Sequence, residues 1–217
     1  FLAVEDLETR LSKEQIIQIY SSYISIMVTL SIGQAEDIAW HRGLVDNSKI
    51  SVSKYMQMCA FKSGGLFKAS FQMAAIIAGV KKDLLEALSE FGQSLGLIYQ
   101  IQDDVLNITE NDLSKMKGLG EDITEGKISL PVIYAMENLP KEKSKKLAQI
   151  LSLHSQDKKL IRQAIDLINE GQGIEKAKIV MEKLFTETWE KLNPLLDDNE
   201  DKENLYSLAK FLITRQV

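Results

Sequence analysis

From Lys82 to Asn107 the chain carries one unbroken helical stripe. Leu84, Leu85, Leu88, Phe91, Leu95, Ile98 and Tyr99 recur at spacings of three and four, with no proline among them. That period is the signature of a long amphipathic helix with one buried face. Lys13 to Ile32 repeats the pattern through Ile16, Ile19, Tyr20, Tyr23, Met27 and Leu30, with Gly33 near its end. Only 3 prolines and 12 glycines punctuate 217 residues, so long helices are favoured over strands and turns.

Further helices are expected from a Ser51 or Ser53 cap through Phe61 and, past Gly64-Gly65, on to about Ala78. Others cover Leu130 to Glu137, Glu142 to Leu153, Lys158 to Glu170, Gly173 to Leu192 and Tyr206 to Ile213. Ile108 to Ile128 reads as a loop. With no repeat, linker or low-complexity tract, residues 1–217 read as a single all-α domain.

Hydrophobic residues make up 45% of the chain and charged residues 26%, which is enough for a core. The net charge of −5 argues against a dedicated nucleic-acid binder. One cysteine, Cys59, excludes an intrachain disulfide and a multi-thiolate zinc site, and suits a reducing compartment. The longest uncharged stretch, Ile19 to Ala35, contains Ser, Thr, Gln and Gly, and reads as a buried core helix rather than a membrane span. The first ten residues carry four charged side chains, so they are not expected to be a signal peptide. Phe1 is not an initiator methionine, and the chain is expected to begin inside a longer product.

Gln100, Asp103, Asp104 and Asn107 lie at i, i+3, i+4 and i+7, on one face at the C-terminal end of the central helix. Adjacent carboxylates repel each other there, and the helix dipole does not help them. A hard cation would offset that cost, and Mg²⁺ commonly links one or two carboxylates to a substrate phosphate. A solvated helix end would look the same. Immediately downstream, Lys115, Lys117, Gly118, Gly120, Glu121, Asp122, Thr124, Glu125, Gly126 and Lys127 interleave lysines, acids and glycines. Lysines offer charge to phosphate oxygens, and glycines let backbone N–H groups approach them. A charged surface loop is the alternative.

Lys62 interrupts an apolar helix just before Ser63-Gly64-Gly65, so it must either reach solvent or meet an anion. The glycine pair implies a kink, close packing or a ligand approach. Gln34 and Asp37 need hydrogen-bond partners if buried, and would either cap a neighbouring element or hold a lysine in place. His41 and His154 lack metal-ligand company and read as surface residues. Trp40 and Trp189 read as packing residues.

Taken in order, GQAEDIAW, YMQMCAFKSGGLF, YQIQDDVLN and KGLGEDITEGKISLPVIYAM resemble the trans-isoprenyl diphosphate synthases (polyprenyl synthetases), especially their geranylgeranyl diphosphate branch. The resemblance spans Gly33 to Met136. It implies an isoprenoid synthase-type bundle of long helices around a central cavity, with the N-terminal helices absent here. It also implies a cytoplasmic homodimer or heteromer whose partners are an allylic diphosphate and isopentenyl diphosphate, with Mg²⁺ as cofactor. By that resemblance, Asp103 and Asp104 belong to a metal-binding motif whose last acid is here Asn107. Lys62, Ser63, Gln100, Lys117 and Lys127 are the catalytic candidates, with Gln34, Asp37 and Asp122 in support. The family's first aspartate-rich motif is not found, so the chain alone is expected to be inactive. The expected function is prenyltransfer giving geranylgeranyl diphosphate. The alternatives are, from another class, a non-catalytic or split subunit of a heteromeric synthase and, third, a terpene cyclase-like lyase of the same fold.

Overall fold

The computed structural model describes residues 10–46, 49–109 and 119–215. Among these, every regular element is helical. Helix α1 spans Lys13–His41 and α2 spans Val52–Cys59. A π-helical turn, Ala60–Gly64, leads directly into α3, Gly65–Ala78. The central helix α4 is Lys82–Asn107, and a short α5 is Glu121–Thr124. Then come α6 (Leu130–Asn138), α7 (Lys141–Ser152), α8 (Lys158–Glu170) and α9 (Gly173–Leu192). A 3₁₀ turn, Asn193–Leu195, precedes α10, Glu200–Thr214.

Caps set several of these boundaries. Ser12 and Gln15 form a reciprocal capping box at the start of α1. Ser51, Asp157 and Asn199 each accept a backbone N–H in the first turn of α2, α8 and α10. Gly79 closes α3 in the left-handed conformation that glycine adopts freely.

Helix α4 is the hub. It packs against α2, α3, α5, α6, α9 and α10, and buries Phe91, Leu95, Ile98, Ile101 and Val105. Phe91 also meets Phe71, Phe185 and Trp189, and Tyr206 joins the last two, so an aromatic cluster ties α3, α4, α9 and α10 together. Trp40 is buried, and Trp189 packs within that cluster.

Two points depart from the sequence reading of α1. First, the helix runs through Gly33 to His41 instead of ending near Gly33. A Cβ at Gly33 would lie 2.6 Å from the Lys62 amide nitrogen, so this glycine serves close packing within the helix. Second, α1 is not a buried core helix. It is long and apolar enough to cross a membrane by length and composition. Only a narrow stripe, Ile19, Ile26, Gly33, Asp37 and Trp40, is buried. Ile17, Ile24, Val28 and Ile32 are 46% to 64% exposed. The physical reason is one-sided contact: α2, the π turn and α3 cover a single side of α1.

The π turn and α4 touch backbone to backbone. A Cβ on Gly96 would sit 2.6 Å from Gly64 Cα and 2.8 Å from the Ser63 carbonyl oxygen. Backbone cannot yield as a flexible side-chain end can, so Gly96→Ala is expected to cost about 1–3 kcal/mol and to push Lys62 and Ser63 away from α4. Urea unfolding of the variant checks the first effect, and its crystal structure checks the second.

Candidate active site

A single-turn π segment inserts an extra residue into a helix and re-aims the side chains it carries. Here it carries Lys62 and Ser63. The Lys62 ammonium donates to Asp37 Oδ2 on α1. His41, one turn further along α1, places Nδ1 3.6 Å from Asp37 Oδ1. Its Nε2 is buried without a hydrogen-bond partner. His41 is therefore half-buried against the carboxylate that holds Lys62, and not the surface residue its sequence context suggests. His154 is exposed in the turn after α7, with φ +47°.

Ser63 links the π turn to α4 by donating its hydroxyl to Gln100 Oε1 at 2.8 Å. Gln100 in turn donates to Asp104 Oδ1 at 3.1 Å. That same oxygen accepts from the Lys127 ammonium at 2.7 Å, and Lys127 also donates to Asp122 Oδ2 at 2.9 Å. Asp104 Oδ2 accepts from the Tyr55 hydroxyl at 2.6 Å. One polar chain thus runs from Ser63 to Asp122, drawing on α2, the π turn, α4 and the segment around α5.

Backbone contacts hold that segment against α4. Asn107 accepts from Gly120 N through its carbonyl at 2.9 Å, and from Asp122 N through Oδ1 at 3.0 Å. The Lys127 amide donates to the Asp122 carbonyl at 2.9 Å. Asn107 therefore acts as an anchor for the returning chain. Its amide oxygen is engaged there, where a third acid of the motif would stand.

The electrostatics follow from one lysine facing two carboxylates in a buried place. Burial alone would lower the Lys127 value, but Asp104 and Asp122 outweigh it and hold the ammonium well above lysine's usual range. One cation cannot neutralise both acids. Asp122 carries the excess: burial raises it to about 6, Lys127 opposes the rise and Asp104 reinforces it. Burial, followed by the Asp104 charge, also raises the Tyr55 phenol and the Cys59 thiol, so both stay protonated. A buried thiol held this way is inert.

The two adjacent aspartates stand in different surroundings. Asp103 is exposed at the end of α4. Asp104 is fully buried, with its side chain 0% exposed and both oxygens taken by three donors. The sequence placed them together as metal ligands. Spacing alone puts both on one face, but burial and the reach of Tyr55 and Lys127 separate them. Among the described residues no three His, Cys, Asp or Glu side chains gather into a metal cage. A single free carboxylate with substrate phosphate completing the shell is nonetheless a normal Mg²⁺ arrangement, and Asp103 fits it. Gln34 is half-buried on α1, one turn before Asp37. Lys117 lies outside the described residues.

Tyr55 is a member of this polar chain that sequence reasoning did not single out. A signal was available: Tyr55, Cys59 and Lys62 follow one another at i, i+4 and i+7, which puts the phenol on the lysine's side of the helix.

Comparison with known proteins points the same way. The short chain isoprenyl diphosphate synthase of Methanothermobacter thermautotrophicus is 29% identical, covering 89% of this chain and 58% of its own length. The geranylgeranyl diphosphate synthase of Sulfolobus acidocaldarius is 28% identical, covering 95% of this chain and 61% of its own. The crystal structure of geranylgeranyl pyrophosphate synthetase from Pyrococcus horikoshii superposes with a TM-score of 0.84 at 27% identity, covering 95% of this chain and 61% of that one. The chain thus spans about three fifths of the length of these relatives. The polyprenyl synthetase family matches residues 1–168. That stretch includes the Asp37–Lys62 pair and every residue of the polar chain, and on this match the protein belongs to the polyprenyl synthetase family.

Proposed function

We propose that this chain is the part of a prenyltransferase that grips and ionises an allylic diphosphate, for condensation with isopentenyl diphosphate to give geranylgeranyl diphosphate. The observation that carries the reading is the pairing of two partly buried lysines, Lys62 and Lys127, with carboxylates that hold them in place, in a site that also contains Gln100 and the exposed Asp103. Placed cations with one open carboxylate suit a diphosphate, and have no use in a purely structural bundle.

In this reading Lys62, Lys117 and Lys127 offer N–H donors to the diphosphate oxygens. Asp103 would hold Mg²⁺, which when bound neutralises charge on the diphosphate. As the allylic C–O bond breaks, its electron pair leaves with the diphosphate. The allylic carbon is then attacked by the isopentenyl double bond, a C–C bond forms, and a proton is lost to restore the alkene. Gln100, held by Ser63 and Asp104, presents a fixed dipole that costs no reorganisation during the step. Asp37 keeps Lys62 in place, and His41 limits where Asp37 can turn. The exposed apolar face of α1 supports assembly with a second subunit, or with further chain of the same polypeptide.

Lys62→Ala is expected to raise the KM for the allylic diphosphate by about 10–100-fold, the loss of one to two charge-assisted hydrogen bonds, with a smaller change for isopentenyl diphosphate. Initial-rate kinetics in both substrates checks this. The function itself is tested by incubation with farnesyl diphosphate, isopentenyl diphosphate and Mg²⁺, in the longer polypeptide that contains this chain if one exists. A linear diphosphate one unit longer supports the reading. A cyclic hydrocarbon would replace it with a lyase, and no product from any such polypeptide would leave a silent subunit.

A further inference from the structure

We propose that Tyr55 is a positioning residue of this site: it occupies one oxygen of Asp104 so that the other is reserved for Lys127. The activity arm of the test rests on the prenyltransferase reading, but the structural arm does not.

Tyr55 is fully buried on α2, an element that carries none of the other groups in the polar chain. A buried phenol needs an acceptor, and many backbone or amide oxygens would serve. This one takes Asp104 Oδ2 at 2.6 Å, leaving Oδ1 to Lys127 and Gln100. The consequence is directional. An ammonium has three N–H donors. Asp104 and Asp122 take two of them, which aims the third and makes it available to a diphosphate oxygen. If Asp104 turned about its Cβ–Cγ bond, that aim would be lost.

The phenol also acts without adding charge. A cation in its place would compete with Lys127 for Asp104, and an apolar ring would leave Oδ2 buried and unpaired, so the carboxylate would turn to find another donor. Tyr55 starts one turn inside a capped helix: Ser51 accepts from Lys54 N, and the Tyr55 amide donates to the Ser51 carbonyl. The hydroxyl is therefore delivered from a fixed base.

The test uses Tyr55→Phe in the full chain, which removes one oxygen and keeps the ring. With ¹⁵N-labelled lysine, the wild-type Lys127 ammonium should give a slowly exchanging ¹H–¹⁵N signal, because its donors are held. In Tyr55→Phe that exchange should quicken by about 10-fold or more, in line with the 10–100-fold effects of losing a supporting hydrogen bond. In an active enzyme, kcat should fall by a similar factor with the KM for isopentenyl diphosphate nearly unchanged. An unchanged Lys127 signal in Tyr55→Phe overturns the proposal, whether or not product forms. Absence of product from the wild type would count against the prenyltransferase reading alone. If Tyr55→Phe does not fold, Tyr55→Phe with Asp104→Asn, which has no carboxylate to orphan, is compared with Asp104→Asn. Equal exchange in the two supports action through Asp104, and faster exchange in the double variant overturns it.

Discussion

Asp103→Ala is expected to lower prenyl turnover by roughly 10²–10³-fold, the usual effect of removing one group that stabilises charge in a transition state. Folding should hardly change. The side chain is exposed, and the shift in unfolding free energy should stay within about 0.5 kcal/mol. Its sign should be favourable, because a negative charge at a helix C-terminus beside a second carboxylate is repelled by both. The pairing of a large catalytic loss with a flat or improved melting curve is the signature of a group present for its ligand. Wild-type turnover in this variant would remove Asp103 from the chemistry.

The neighbouring substitution should behave in the opposite way. Asp104→Ala strips three donors of their acceptor at a fully buried position. Removing one member of a buried charge pair is strongly destabilising, and about 3 kcal/mol is expected because Lys127 keeps Asp122 as a second partner. The electrostatics give this an independent check. The Asp104 charge is one of the influences that raise Asp122 to about 6. Without it, Lys127 serves Asp122 alone, and the Asp122 carboxyl should titrate lower.

The sign of the stability effect follows. A carboxyl raised in the folded state loses its proton earlier in the unfolded chain, so as pH climbs from its ordinary value of 3.8 towards about 6 this group works against folding. The stability lost over that interval should shrink in Asp104→Ala. Carboxyl NMR titration and urea unfolding at several pH values would show both effects. An Asp122 midpoint that stays near 6 would contradict this charge balance.

Much of the frame could be read from the chain because local signals agreed. Lys82–Asn107, Lys158–Glu170 and Gly173–Leu192 have the expected limits, since apolar period, end residues and the lack of proline all point one way. Other limits moved for reasons the local pattern does not contain. Helix α10 starts at Glu200, well before Tyr206, because Asn199 caps it and Glu200, Asp201 and Glu203 suit the positive end of a helix. Helix α1 passes Gly33 because that glycine meets Lys62 N on another element. Its exposed face depends on what packs beside it, and hydrophobicity alone could not show that.

The same limit applies to the candidate site. Residue type and spacing drew attention to Lys62, Gln100 and Lys127 and the family resemblance added Ser63; the structure brings Ser63, Gln100 and Lys127 into one hydrogen-bonded chain. They could not separate Asp103 from Asp104, because spacing places both on one helical face. The distinction comes from Tyr55 and Lys127, which reach Asp104 from segments 49 and 23 residues away.

The central claim is that these two adjacent aspartates do different work, Asp103 facing the metal and Asp104 holding Lys127. It is tested most directly by the Mg²⁺ dependence of binding of a non-ionising allylic thiolodiphosphate to Asp103→Asn and Asp104→Asn. The account predicts that Asp103→Asn loses most of the Mg²⁺-dependent gain in affinity. Asp104→Asn should keep that gain while binding more weakly at every Mg²⁺ concentration. Equal loss of the Mg²⁺ response in both variants would contradict it, and would return Asp104 to the metal.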